Sequence, residues 1–191
     1  SEKNVKDTLT DKIAKIGENM SIRRSEIVSV TNGSIIGYMH NAVHDSLGKI
    51  GVLVALESKA DKTSLQKLGK ELAMHIAATS PSSISIEDLS PELVERERKV
   101  LIDQAIASGK PEDIAKKMVE GRLRKFYSEV VLLEQIFVID GETKVSDVIK
   151  KVSKDLNQDI KINNFIRYNL GEGIEKNTKN FADEVAEQLS D

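Results

Sequence analysis

Apolar residues recur at Leu9, Ile13 and Ile16 and then stop at Gly17. That spacing predicts the last turns of a helix closed by a glycine, so the sequence is expected to open inside a folded unit. Three β-rich runs follow, Ile22–Thr31, Ser34–His40 and Lys49–Glu57, separated by Asn32-Gly33 and by the polar stretch 41–48. Asn-Gly between β-branched runs favours a two-residue hairpin, and an antiparallel three-stranded meander is predicted.

Leu65, Leu68, Leu72 and Ile76 form one stripe of a helix predicted over Asp61–Thr79, which Ser80-Pro81 would end. Ser90-Pro91 supplies an N-cap followed by a proline in the first turn of the next helix. This helix turns Leu93, Val94, Val100, Leu101 and Ala105 inward, breaks at Ser108-Gly109-Lys110-Pro111, and gives way to a second with Ile114, Met118, Val119, Leu123 and Phe126. So short a connection requires the two to lie antiparallel, and their narrow apolar seam predicts a projecting coiled-coil hairpin. Val130–Ile139 carries few charges and reads as a buried strand. A helix over Lys144–Leu156, a strand over Ile160–Leu170, a turn at Gly171-Glu172-Gly173 and a helix over Thr178–Leu189, striped by Phe181, Val185 and Leu189, complete the pattern. The expected class is α+β: two small antiparallel sheets faced by helices, an inserted helical hairpin and a C-terminal helix. The expected units are a first lobe at 1–60, a second at 61–90 with 128–175, the hairpin at 91–127 and a C-terminal module at 176–191.

Composition narrows the function without naming it. At 191 residues, 39% hydrophobic and 31% charged, the chain can bury a sizeable core without a staple. It has no cysteine and no apolar run long enough to cross a bilayer, so a cytoplasmic protein without disulfide, thiolate chemistry or membrane contact is expected. The net charge of −3 offers no general attraction for phosphate, and aromatics are only 4% with no tryptophan to stack on bases. Lys116, Lys117, Arg122, Arg124 and Lys125 are read as the solvated face of a helix, and no direct nucleic-acid partner is expected. His40 and His44 have no third ligand spaced nearby, and His75 lies among apolar helix residues, where a satisfied, partly buried histidine is the default. No serine lies in a nucleophile elbow, and Gly171-Glu172-Gly173 lacks the rest of a phosphate-binding loop. No catalytic residue, metal or cofactor is expected. The residues alone indicate an α+β interaction protein, with a scaffold that binds RNA or protein through the basic hairpin face as the alternative.

Ordered motifs go further. Ile16-Gly17-Glu18-Asn19-Met20-Ser21-Ile22-Arg23-Arg24 resembles the signature of the elongation factor Ts family, nucleotide-exchange partners of the GTPase elongation factor Tu. Gly37-Tyr38-Met39-His40, Lys49-Ile50-Gly51-Val52-Leu53-Val54 and Leu72-Ala73-Met74-His75-Ile76-Ala77-Ala78 resemble it in the same order. So do Ser108-Gly109-Lys110-Pro111, Lys117-Met118-Val119-Glu120-Gly121-Arg122 and Gly171-Glu172-Gly173-Ile174-Glu175. The resemblance implies two core lobes, a coiled-coil insertion and a non-enzymatic factor. It would bind elongation factor Tu in its GDP-bound and nucleotide-free states, with a homodimer of the complex possible. It also implies contact positions at Ile16, Gly17, His40, Val138, Phe181 and Val185. For Ile16 and Val138 plain core packing stands beside contact, whereas for His40 contact is the expectation. The family's upstream helical domain and Thr-Asp-Phe-Val motif do not occur in these residues, and a trimmed fragment is the expected explanation.

Overall fold

The computed structural model describes residues 3–109 and 111–173. Helix α1, Val5–Ile16, is capped by Asn4, whose side chain accepts from the Asp7 N–H, and closed by Gly17 in the left-handed region at φ 78°. Strands β1 (Gly33–His44) and β2 (Leu47–Glu57) pair antiparallel, and β3 (Lys161–Asn169) pairs antiparallel with β2. Between them in sequence come α2 (Lys62–Thr79), α3 (Pro91–Ala107), α4 (Glu112–Val130), a short 3-10 turn at Leu132–Glu134, and α5 (Val145–Leu156).

The class is α+β, but the sheet is assembled differently from the pattern's prediction. Among the described residues there is one three-stranded sheet, in the order β1-β2-β3, rather than two. The run Ile22–Thr31 is not a strand; residues 18–30 have no regular structure, and Ile27 is 94% exposed. Its β-branched residues favour extended backbone, but the run pairs with no strand of the sheet among the described residues. Asn32-Gly33 is therefore no hairpin. The hairpin lies further on at Asp45-Ser46, inside the stretch expected to be a loop, with Ser46 at φ 65° and a register shift between Ala42 and His44. Val130–Ile139 is not a buried strand either. It holds the end of α4, the 3-10 turn, and isolated bridges from Val131 to Ser83 and from Ile136 to Lys144.

One face of the sheet is buried. Ile36 of β1, Val52, Val54 and Leu56 of β2 and Ile162 of β3 alternate onto the face covered by Leu65, Leu68, Leu72, Ala73 and Ile76 of α2. Leu132, Phe137, Val145 and Ile149 extend the same core, and the amphipathic spacing of α5 places the last two there. The pair α3–α4 has its own smaller core of Leu101, Ala105, Val119 and Leu123. Its base is pinned where the Ser82 N–H donates to the Val130 carbonyl and the Leu132 N–H donates to the Ser83 carbonyl, at 2.8 and 2.9 Å. On its basic face Arg122 donates to Gln104 at 2.6 Å and Lys125 pairs with Glu129 at 4.0 Å.

Two helical glycines should respond to alanine with opposite signs. At Gly121, on α4, an added Cβ meets nothing within 4 Å, so Gly121→Ala should stabilise the chain by roughly 0.5–1 kcal/mol through helix propensity. At Gly69, on α2, the Cβ would lie 2.4 and 2.5 Å from Cδ1 and Cγ1 of buried Ile36, a β-branched side chain with little freedom to turn away. Gly69→Ala should cost about 1–2 kcal/mol net, overpacking outweighing propensity. Urea unfolding of the two variants checks the pair, and shifts of the same sign would refute the packing argument.

Candidate functional site

The first and last of the ordered motifs meet in space. Arg24 stands with its guanidinium 4.5 Å above the Tyr168 ring and pairs with the Glu172 carboxylate at 2.7 Å. Arg23 donates to the Glu172 backbone carbonyl, and Arg167 lies 3.8 Å from the same carboxylate. The hydrogen bond from Arg24 is the main reason that the Glu172 carboxyl is held below its usual pKa. Gly171 and Gly173, both at positive φ, turn the chain so that Glu172 can reach these arginines. The irregular segment after α1 is thus fastened to the end of β3, over the sheet face opposite α2. A cleft of about 440 Å³ opens on that outer face, lined by Glu26, Gly37, Met39, Gly51, Leu53 and Tyr168.

His40 lies on β1 in register with Ile50, and Ile50 with Asn169. In the neighbouring row, Tyr38–Val52–Arg167, Arg167 Nε donates to the Ala77 carbonyl near the end of α2 at 3.4 Å, and Tyr38 and Ile50 both pack against the core. His40 is one row beyond, and its side chain is exposed. It was expected at a strand end, but the strand runs on to His44. The Tyr38 hydroxyl is 3.1 Å from His40 Nδ1; donation to that nitrogen leaves the Nε2 edge free to face outward. Among the described residues no group of three or more acidic or histidine side chains is placed to hold a metal ion.

Val138 is 44% exposed and Ile16 55% exposed, so neither is spent on core packing. Ile16 ends a helix that buries none of its residues, and Gly17 beside it is required by its φ of 78°, since nothing lies within 4 Å of its Cβ position. The Val138 N–H donates to Nδ1 of fully buried His75 at 3.2 Å. Nδ1 must then carry the lone pair, so the ring proton is on Nε2, which donates to Gln135 Oε1 at 2.9 Å. Gln135 Nε2 in turn donates to the Glu129 carbonyl at 2.7 Å, and the His75 ring tilts against Phe137 at a centroid distance of 5.6 Å. Burial holds the imidazole below its usual pKa, which keeps it neutral. His75 is satisfied, as the sequence led one to expect, but fully rather than partly buried, and Gln135, 60 residues away, carried no signal that would have named it as the partner.

Arg167 of β3, and Val138 through His75, are hydrogen-bonded to the last two turns of α2. Phe181 and Val185 lie outside the described residues. No described helix is long and apolar enough to cross a membrane.

Known proteins match the chain along nearly its whole length. An Elongation factor Ts of Rhodospirillum centenum is 57% identical over 182 residues, 95% of this chain and 59% of the relative. That of Rhodospirillum rubrum is 56% identical over 185 residues, covering 97% and 60%, and that of Parvibaculum lavamentivorans 53% identical over 186 residues. The chain therefore spans about three fifths of the length of these relatives. A family model described as Elongation factor TS matches residues 1–172, from α1 to the glutamate that clasps Arg24, and on that match the chain belongs to the elongation factor Ts family.

Proposed function

We propose that this chain binds elongation factor Tu and promotes release of its bound GDP, so that GTP can load. The observation that carries this reading is the family match over residues 1–172, which includes every described position assigned to contact. The chain makes and breaks no covalent bond. It works by linkage: a factor that binds the empty GTPase more tightly than the loaded one must weaken nucleotide binding by the same ratio. His40 enters an apolar slot of the partner and displaces its phosphate-binding loop. Ile16 and Gly17 hold the docking angle, and Val138 adds a contact from the other segment tied to α2. A helix carrying Phe181 and Val185 adds another. Exposed apolar anchors of this kind supply most of the energy of an interface.

In the same reading the chain has a first lobe at 1–60 and a second formed by 61–90 and 128–175, the α3–α4 pair is an antiparallel coiled-coil insertion at 91–127 within the second lobe, and a C-terminal module follows at 176–191. The factor acts in the cytoplasm with the translation machinery, and its complex with elongation factor Tu can pair as a homodimer.

His40→Ala should slow GDP release from elongation factor Tu by about 5- to 30-fold at subsaturating factor, the loss expected of one anchor. Stopped-flow release of a fluorescent GDP analogue measures it, with His44→Ala, further along β1, as the reference. An effect of His44→Ala equal to or larger than that of His40→Ala would refute the assignment.

A further inference from the structure

Ile136, Val138 and Ile139 are 46%, 44% and 50% exposed, while Phe137 between them is buried. Three large aliphatic side chains turned outward within four residues, around one turned inward, make a small apolar surface held at a set angle. The backbone beneath them is fastened within its own loop, by the Phe137 N–H to the Thr143 carbonyl and the Gly141 N–H to the Phe137 carbonyl, each 2.8 Å. The Val138 N–H to His75 Nδ1 joins the loop to α2 instead.

A leucine at 75 would fill much of the same space and bury apolar surface without a buried polar group. What histidine adds is a rigid ring that accepts at one nitrogen and donates at the other. Gln135 fixes which nitrogen does which: its Oε1 takes the Nε2 proton, its Nε2 is committed to the Glu129 carbonyl, and the Thr79 hydroxyl approaches the same Oε1 at 3.0 Å. Among the described residues no buried side-chain nitrogen or oxygen lacks a hydrogen-bond partner, so the ring has one preferred orientation. Glu134 and Lys144 are paired with each other at 2.7 Å, and Asp140 accepts from the Glu142 and Thr143 amides.

We propose that His75 and Gln135 are a positioning pair that sets the angle at which Val138 and its aliphatic neighbours meet elongation factor Tu. The inference rests on the reading of Val138 as a contact. Neither His75 nor Gln135 touches the partner; both act through the Val138 amide.

Two amide substitutions separate positioning from mere stability. In His75→Asn the Oδ1 stands near the place of Nδ1 and can accept from the Val138 N–H. In His75→Gln the side-chain amide reaches toward Gln135 instead and leaves the Val138 N–H without an acceptor. Hydrogen exchange at the Val138 amide and affinity for nucleotide-free elongation factor Tu are read for both. The Asn variant should bind within about threefold of the unsubstituted chain, and the Gln variant about tenfold more weakly with faster exchange at Val138. Val138→Ala tests the underlying reading: unchanged affinity there would overturn the contact itself. A weakened Val138→Ala with equal affinities for the Asn and Gln variants would overturn the positioning pair alone. Should a His75 variant fail to melt cooperatively, Gln135→Met releases the ring while keeping the histidine, and unaltered binding by that variant would equally overturn the proposal.

Discussion

Replacing Gly33 by alanine should destabilise the chain by roughly 3 kcal/mol or more, a large effect for a single methyl group. A Cβ at this position would lie 1.9 Å from the carbonyl oxygen of Leu56 and 3.1 Å from the Cα of Glu57. Both are backbone atoms of the strand with which Gly33 pairs, and its φ of 147° is one that residues with a side chain rarely adopt. The alanine can be seated only by parting the start of β1 from the end of β2, where the Ser58 N–H also donates to the Asn32 carbonyl at 3.0 Å. Urea denaturation followed by circular dichroism gives the difference in unfolding free energy. A loss below about 1 kcal/mol would show that this end of the sheet is free to rearrange.

His75→Leu should cost about 2–4 kcal/mol, because it strands the Val138 N–H and removes the donor to Gln135 inside the core. The loss should depend on pH with a definite sign. Burial lowers the His75 pKa from 6.5, so as pH falls through that value the unfolded chain takes up a proton that the folded chain still refuses. The unfolded state then binds more protons, and the stability contributed by the neutral ring above about pH 6.5 is lost progressively downward until the lowered folded value is passed. Titrations common to both chains cancel in the difference. The stability gap between the unsubstituted chain and His75→Leu should therefore be widest near pH 7.5 and narrow toward about pH 5. A gap that widened on acidification would show that the ring is charged in the folded state.

The helices were legible because each has a long apolar stripe and a local stop. The stripe Leu65–Ile76 and Ser80, which adopts φ 51° to close α2, are both local signals, as are Ile13, Ile16 and Gly17 for α1. The sheet was not legible to the same degree, since a strand's partner can lie anywhere in the chain. Ile22–Thr31 has the residues of a strand but pairs with none among the described residues, and β3 reaches β2 across more than a hundred residues. Asn32-Gly33 shows how a local signal can mislead: the glycine is required, but by the close passage of Leu56 rather than by a hairpin turn. The residues assigned to contact had no periodicity to distinguish them, and the ordered motifs singled them out. Geometry then added what motifs do not hold. It tied Arg23 and Arg24 to Glu172, Val138 to His75 and His75 to Gln135.

Exchange by linkage requires a difference between two affinities for one partner. Isothermal titration of this chain into elongation factor Tu stripped of nucleotide, and into the same protein saturated with GDP, measures that difference directly. Binding to the empty GTPase should be at least about fivefold tighter than to the GDP form. Since linkage is reciprocal, the dissociation constant of GDP should rise by the same factor when the chain is present in excess. Equal affinity for the two forms would contradict the account, however tight the binding, because a factor that does not distinguish the states cannot shift the nucleotide equilibrium.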